Sequence, residues 1–134
     1  MAEVTKTTAK IGTVYSDRAE IAQHLSAVAI TAGQAVTLNT AGKLVLADAN
    51  DANANTFLGI ALETVGAGQV CAVCVRGHVY GFDVSSLNAM SAVYVGDTAG
   101  MLDTVASVTK TLVAGYISAL ADGTKVLLVN GLAV

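Results

Sequence analysis

Apolar residues in this chain never run far before glycine or an Asn/Asp-rich stretch interrupts them, which leaves little room for a long helix. Ala35-Val36-Thr37-Leu38 is followed by Asn39-Thr40-Ala41-Gly42 and then by Lys43-Leu44-Val45-Leu46. This is a strand, a turn and a strand, with Asn39 and Gly42 supplying the turn chemistry. Residues 48–55 alternate Asx and Ala and read as a loop, because their side chains compete for nearby backbone groups. Phe57 to Leu62 reads as a strand, Gly66-Ala67-Gly68 as a turn, and His78 to Val84 as extended again. The run from Gln69 to Val75, bounded by Gly77, reads as the most buried strand. The expected class is all-β.

The second half repeats the first. Ala92 to Leu102 reproduces the apolar–turn–apolar order of Ala35 to Leu44 with one extra turn residue. Val113-Ala114-Gly115-Tyr116-Ile117 matches Phe57-Leu58-Gly59-Ile60-Ala61, and Asp122 to Val129 matches Ala67 to Val73. A single recurrence predicts a pseudo-duplicated sheet rather than a solenoid, which needs at least three copies. Helix signal is weak. Residues 17–28 permit a short helix through Ile21, Leu25 and Val28, but strand is favoured there, and Ser85 to Met90 allows one turn.

Residues 1–20 are polar and Thr-rich and read as an extended arm and lead-in, with the β-rich domain spanning 21–134. The arm has too few apolar residues to hold itself against a core. Met1 to Lys6 has no apolar segment behind its charges and is not read as a secretory signal, so Cys71 and Cys74 are expected as free thiols. At 134 residues the chain has the length of one domain and needs no metal or disulfide to hold it.

Composition narrows the partners. Only 13% of residues are charged, against about 25–35% for a surface kept soluble by charge, so some apolar surface is expected to be covered. The net charge is −3, and Lys6, Lys10, Arg18, Lys43, Arg76, Lys110 and Lys125 are scattered. Neither nucleic acid nor an anionic membrane surface suits that distribution. No apolar run reaches the roughly 18–20 residues of a membrane helix.

Candidate chemistry is thin. Cys71, Cys74 and His78 make half a zinc signature, but a strand sends residues 71 and 74 to opposite faces. The cysteines would be small buried hydrophobes. A redox dithiol wants a helix N-terminus, which this run does not offer. His78 and Asp83 lie five apart in an extended segment, and Ser85 and Ser86 lack the Gly-x-Ser-x-Gly context. Asp48 and Asp51 lack the oxygen spacing of a calcium hand, and Gly66-Ala67-Gly68 is not a phosphate loop. The aromatics do not alternate with basic residues. No catalytic, cofactor or metal residue is assigned, and His78 reads as a polar residue at a strand or interface edge.

The chain resembles the small decoration, or cement, proteins of tailed bacteriophage heads, a group that once carried a recombinase-like label. The resemblance runs from about residue 12 onward. It rests on Ala32-Gly33-Gln34-Ala35-Val36, Phe57 to Leu62, Gly66 to Val70, Val75 to Phe82 (with Arg76-Gly77-His78 as a turn), and Val93 to Gly100. It implies a small β-barrel or β-tulip and a virion protein, made in the host cytoplasm, on the outer capsid surface. It further implies a homotrimer on the major capsid protein, no small-molecule substrate, and an arm that grips the shell. The arm residues expected at that contact are Val4, Thr5, Lys6, Thr7, Thr8, Lys10 and Tyr15. Gly33, Gly59, Gly77, Gly100 and Gly115 are expected to be structural. Another β-rich virion or assembly protein, or a non-catalytic ligand-binding module, is the alternative. Carbohydrate binding is poorly served by a chain without Trp.

Overall fold

The apolar runs become strands and the glycine-bearing segments the turns between them. A computed structural model describes residues 3–15 and 17–132. Its strands are β1 (Glu3–Val4), β2 (Gly12–Thr13), β3 (Glu20–Leu25), β4 (Ala35–Leu38), β5 (Leu44–Leu46) and β6 (Gly59–Ala61). They continue with β7 (Val70–Tyr80), β8 (Ala92–Val95), β9 (Leu102–Asp103), β10 (Val113–Ala119) and β11 (Lys125–Asn130). A 3-10 turn at Thr8–Lys10 is the one helical element among the described residues. The protein is all-β. Residues 20–25 are strand, and Ser85 to Met90 makes turns without a helix.

One antiparallel sheet runs β1-β9-β8-β10-β11-β7-β6-β4-β5, with β2 and β3 on the other edge of β7. The sheet curls back on itself. Where β3 ends, Ser26 bridges Leu44 of β5, and the Ala27 amide donates to the Leu44 carbonyl at 2.9 Å.

Two halves share one pairing plan. β4 pairs with β5 and β6, and β6 with β7; β8 pairs with β9 and β10, and β10 with β11. Leu38 faces Leu44 across the first hairpin and Val95 faces Leu102 across the second, which carries the extra turn residue. Gly59 lies opposite Val36 and Gly115 opposite Val93. A Cβ on either would strike backbone, the Cys74 carbonyl in one case and the Leu128 carbonyl in the other. Only glycine lets those strands approach so closely.

β7 joins the halves. Glu20 pairs with Arg76 but Ile21 with Cys74, so Val75 is an extra residue that bulges the strand. Cys71 and Val73 before the bulge, and Val75 at it, enter a cluster with Val36, Leu44 and Leu58. Cys74 enters the other cluster, with Phe57 and Ile60. Beyond the bulge Val79 points into that second cluster, while Arg76 and Tyr80 are exposed and His78 is half-buried. The one-residue shift changes which side chains point inward. The expectation that Gln69 to Val75 is the most buried strand is corrected: Gln69 is exposed and Val70 is 53% exposed, whereas all three residues of β6 are buried. Arg76-Gly77-His78 is likewise no turn. All three pair with β11 in mid-strand, and Gly77 has a φ of 143° that favours glycine.

The lead-in is part of the sheet, on both sides of the expected boundary between residues 20 and 21. Val4 pairs with Leu102, is 4% exposed and belongs to the larger core cluster. The Thr7 amide donates to the Gly81 carbonyl and the Asp83 amide to the Thr5 carbonyl, both at 2.8 Å. The expectation that this segment cannot hold itself against a core is therefore corrected. Val4 is joined by the partly buried Ile11 and Ala19, which pack against the same cluster, and backbone pairing adds to them. Met1 and Ala2 of the arm lie outside the described residues.

Candidate docking face

Alternation fixes what β7, β10 and β11 show to solvent. Val79, Ile117, Leu127 and Val129 fill the core, so Arg76, His78, Tyr116, Ser118, Leu128 and Asn130 line the outer face. Arg76 is opposite Asn130, and Leu128 is opposite both His78 and Tyr116.

The segment between β2 and β3 closes over one side of this face. The Val14 amide donates to the His78 carbonyl (2.9 Å) and the Arg18 amide to the Tyr15 carbonyl (3.0 Å). The Tyr15 ring stands edge-on to His78, with centroids 5.5 Å apart and planes at 87°. The Arg18 guanidinium lies 5.7 Å from the centroid of Tyr15, within reach of a cation–π attraction. Arg76 and Glu20 form an exposed ion pair at 2.9 Å. Tyr15, Arg18, Arg76, His78, Tyr116 and Asn130 line a groove of about 400 Å³, and among the described residues no carboxylate is in its wall.

A second exposed feature is the apolar β3–β7 edge. Leu25 and Val70 are opposite one another and 41% and 53% exposed, and Ile21 is 44% exposed two register steps beyond Gln23 and Ala72. Among the described residues, β3 pairs with no strand but β7. The outer edge of β3 therefore keeps backbone donors and acceptors beside exposed aliphatic side chains.

A nucleophile needs more than this face offers. His78 Nε2 and Ser118 Oγ are 3.3 Å apart, a contact that no sequence signal disclosed because the residues lie on different strands. Among the described residues no carboxylate bonds the imidazole, so the orienting third member of a triad is missing. Cys71 and Cys74 are free, buried, and in different core clusters. Burial raises the Cys71 thiol pKa, and it pushes Cys74 up to about 11 with the Glu20 charge adding to the effect. Both thiols stay protonated near neutral pH, unsuited to attack or metal binding. Among the described residues no three metal-ligating side chains converge, and no helix is long and apolar enough to cross a membrane.

The other residues singled out from the sequence are dispersed. Thr5, Thr7, Thr8, Lys10 and Tyr15 are exposed and Lys6 is half-buried, while Val4 is core. Gly33 and Gly100 take left-handed φ of 91° and 78°. Asx turns hold the 48–55 loop as expected, the Asn50 amide donating to Asp48 Oδ1 and the Asn53 amide to Asp51 Oδ1, each at 2.9 Å. Comparison with known protein families, with curated proteins and with solved structures finds no match.

Proposed function

We propose that this chain is a non-catalytic structural protein that binds the outside of an assembled phage head and stabilises it. The observation that carries this reading is the exposed Ile21, Leu25 and Val70 edge on an open strand, in a chain with few charges. Such an edge gains by being covered, through strand addition with side-chain contacts on either side. The sequence resemblance to head decoration proteins supplies the partner, the major capsid protein, and the homotrimer as the bound form. A protein that binds the assembled shell and not its dissociated subunits stabilises the shell by mass action. The lead-in contributes through exposed Thr8, Lys10 and Tyr15, whereas Val4 is committed to the core.

The test is co-sedimentation of the purified protein with expanded heads that lack it, beside parallel trials with free glycans and with DNA. Saturable binding to heads that raises their melting temperature is expected. Binding to a glycan or to DNA in place of heads would sink the reading.

A further inference from the structure

The groove has a chemistry of its own, apart from that of the apolar edge. It gathers Arg18 and Arg76, two of the seven basic residues of a chain with net charge −3, and among the described residues no carboxylate lines it. Arg18 has no ion-pair partner among the described residues, yet its guanidinium is held over Tyr15, whose ring is steadied by His78. A planar cation fixed in this way loses less freedom on meeting a carboxylate than a free side chain does. Among the described residues Arg76 pairs with Glu20 alone, both side chains being more than half exposed, and such pairs are weak enough to exchange. The Tyr15 and Tyr116 rings and Leu128 line the cleft with apolar surface, which strengthens a charge pair formed inside it. A volume of about 400 Å³ exceeds what one small ion fills and suits a side chain with its flanking backbone.

We propose that this groove seats an acidic side chain from an extended segment of the protein partner, its carboxylate held by Arg18 and Arg76, with the Asn130 amide facing its backbone. The inference rests on the docking reading for the identity of the partner and adds the recognition chemistry. It commits to a peptide carboxylate. Inorganic phosphate is the alternative anion that the test must separate.

The probes are a blocked peptide with one central glutamate flanked by leucines, the same peptide with glutamine, and inorganic phosphate. Each is titrated into the full chain while backbone amide resonances are followed. The glutamate peptide should shift the Gly77, His78 and Asn130 amides saturably, and the glutamine peptide should bind about tenfold more weakly. Arg18→Gln, an exposed change that should leave the thermal melt in place, should weaken both the glutamate peptide and the heads by about fivefold or more. Equal binding of the two peptides overturns the proposal, as does response to phosphate alone. Wild-type attachment to heads that Arg18→Gln leaves untouched removes the groove while head docking stands. Peptide seated in the groove with no attachment of wild type to heads removes head docking while the groove stands.

Discussion

Gly59 and Gly115 do the same job in the two halves of the sheet: each lies where a side chain would collide with the carbonyl of the strand that closes its own half, Cys74 for one and Leu128 for the other. Backbone cannot move aside as a flexible side chain can. Gly59→Ala and Gly115→Ala should each cost about 3 kcal/mol or more. Urea melts check this, and a loss under about 1 kcal/mol at either site would mean that the strands part easily there.

The thiols make a pH prediction. The folded-state pKa of Cys74 lies at about 11 against 9.0 for an ordinary cysteine. The stability tied to its protonated form is whole below pH 9.0 and drains away as pH rises through about 11, because the unfolded chain releases its proton first. Denaturant midpoints should therefore fall over that window, and Cys74→Ala should flatten the fall. Aromatic disulfide reagents should label neither cysteine quickly at pH 8 until the chain is unfolded.

Val4 anchors the first strand. Val4→Ala should lower stability by about 2 kcal/mol. Deleting residues 2–10 should lower the melting temperature outright, which a scanning calorimeter would show. An unchanged melt would put the segment outside the cooperative fold.

The exposed edge should separate stability from binding. Replacing Leu25 and Val70 together by lysine should shift stability by less than about 1 kcal/mol, since both are half-exposed. Head attachment should weaken about tenfold or more in the same co-sedimentation assay. Undiminished attachment would move the contact to another face.

Much of this architecture was legible from the residues alone because turns carry local signals. Asn39 with Gly42 and the Asx pairs of 48–55 act within a few residues of themselves, and they appear as read. The halves were recognisable for the same reason, since their glycines recur in register. What escaped depends on distant partners. Arg76-Gly77-His78 looks like a turn because glycine usually ends a strand, yet β11 carries the ladder straight through it. Val4 has no apolar neighbours in sequence, and only its pairing with Leu102 makes it core. Gly131 was not singled out, although a Cβ there would meet the Leu58 and Val75 carbonyls where β6 and β11 part. The groove was the least readable feature. Tyr15, His78 and Tyr116 come from three separated segments, and only the segment between β2 and β3 brings the first onto the face of the other two.

The shared strand β7 has a consequence for how the molecule comes apart. It closes the first half through β6 and opens the second through β11, so neither half keeps its wall if the other dissolves. Duplicated folds joined by a linker can melt in two steps. Here the two halves share one edge of β7, β6 holding Val73 and Cys74 and β11 holding Arg76 to Val79, so opening either half bares part of that edge. Amide exchange along that edge should therefore proceed only through global opening and be the slowest in the chain, with both halves exchanging as a single cooperative unit.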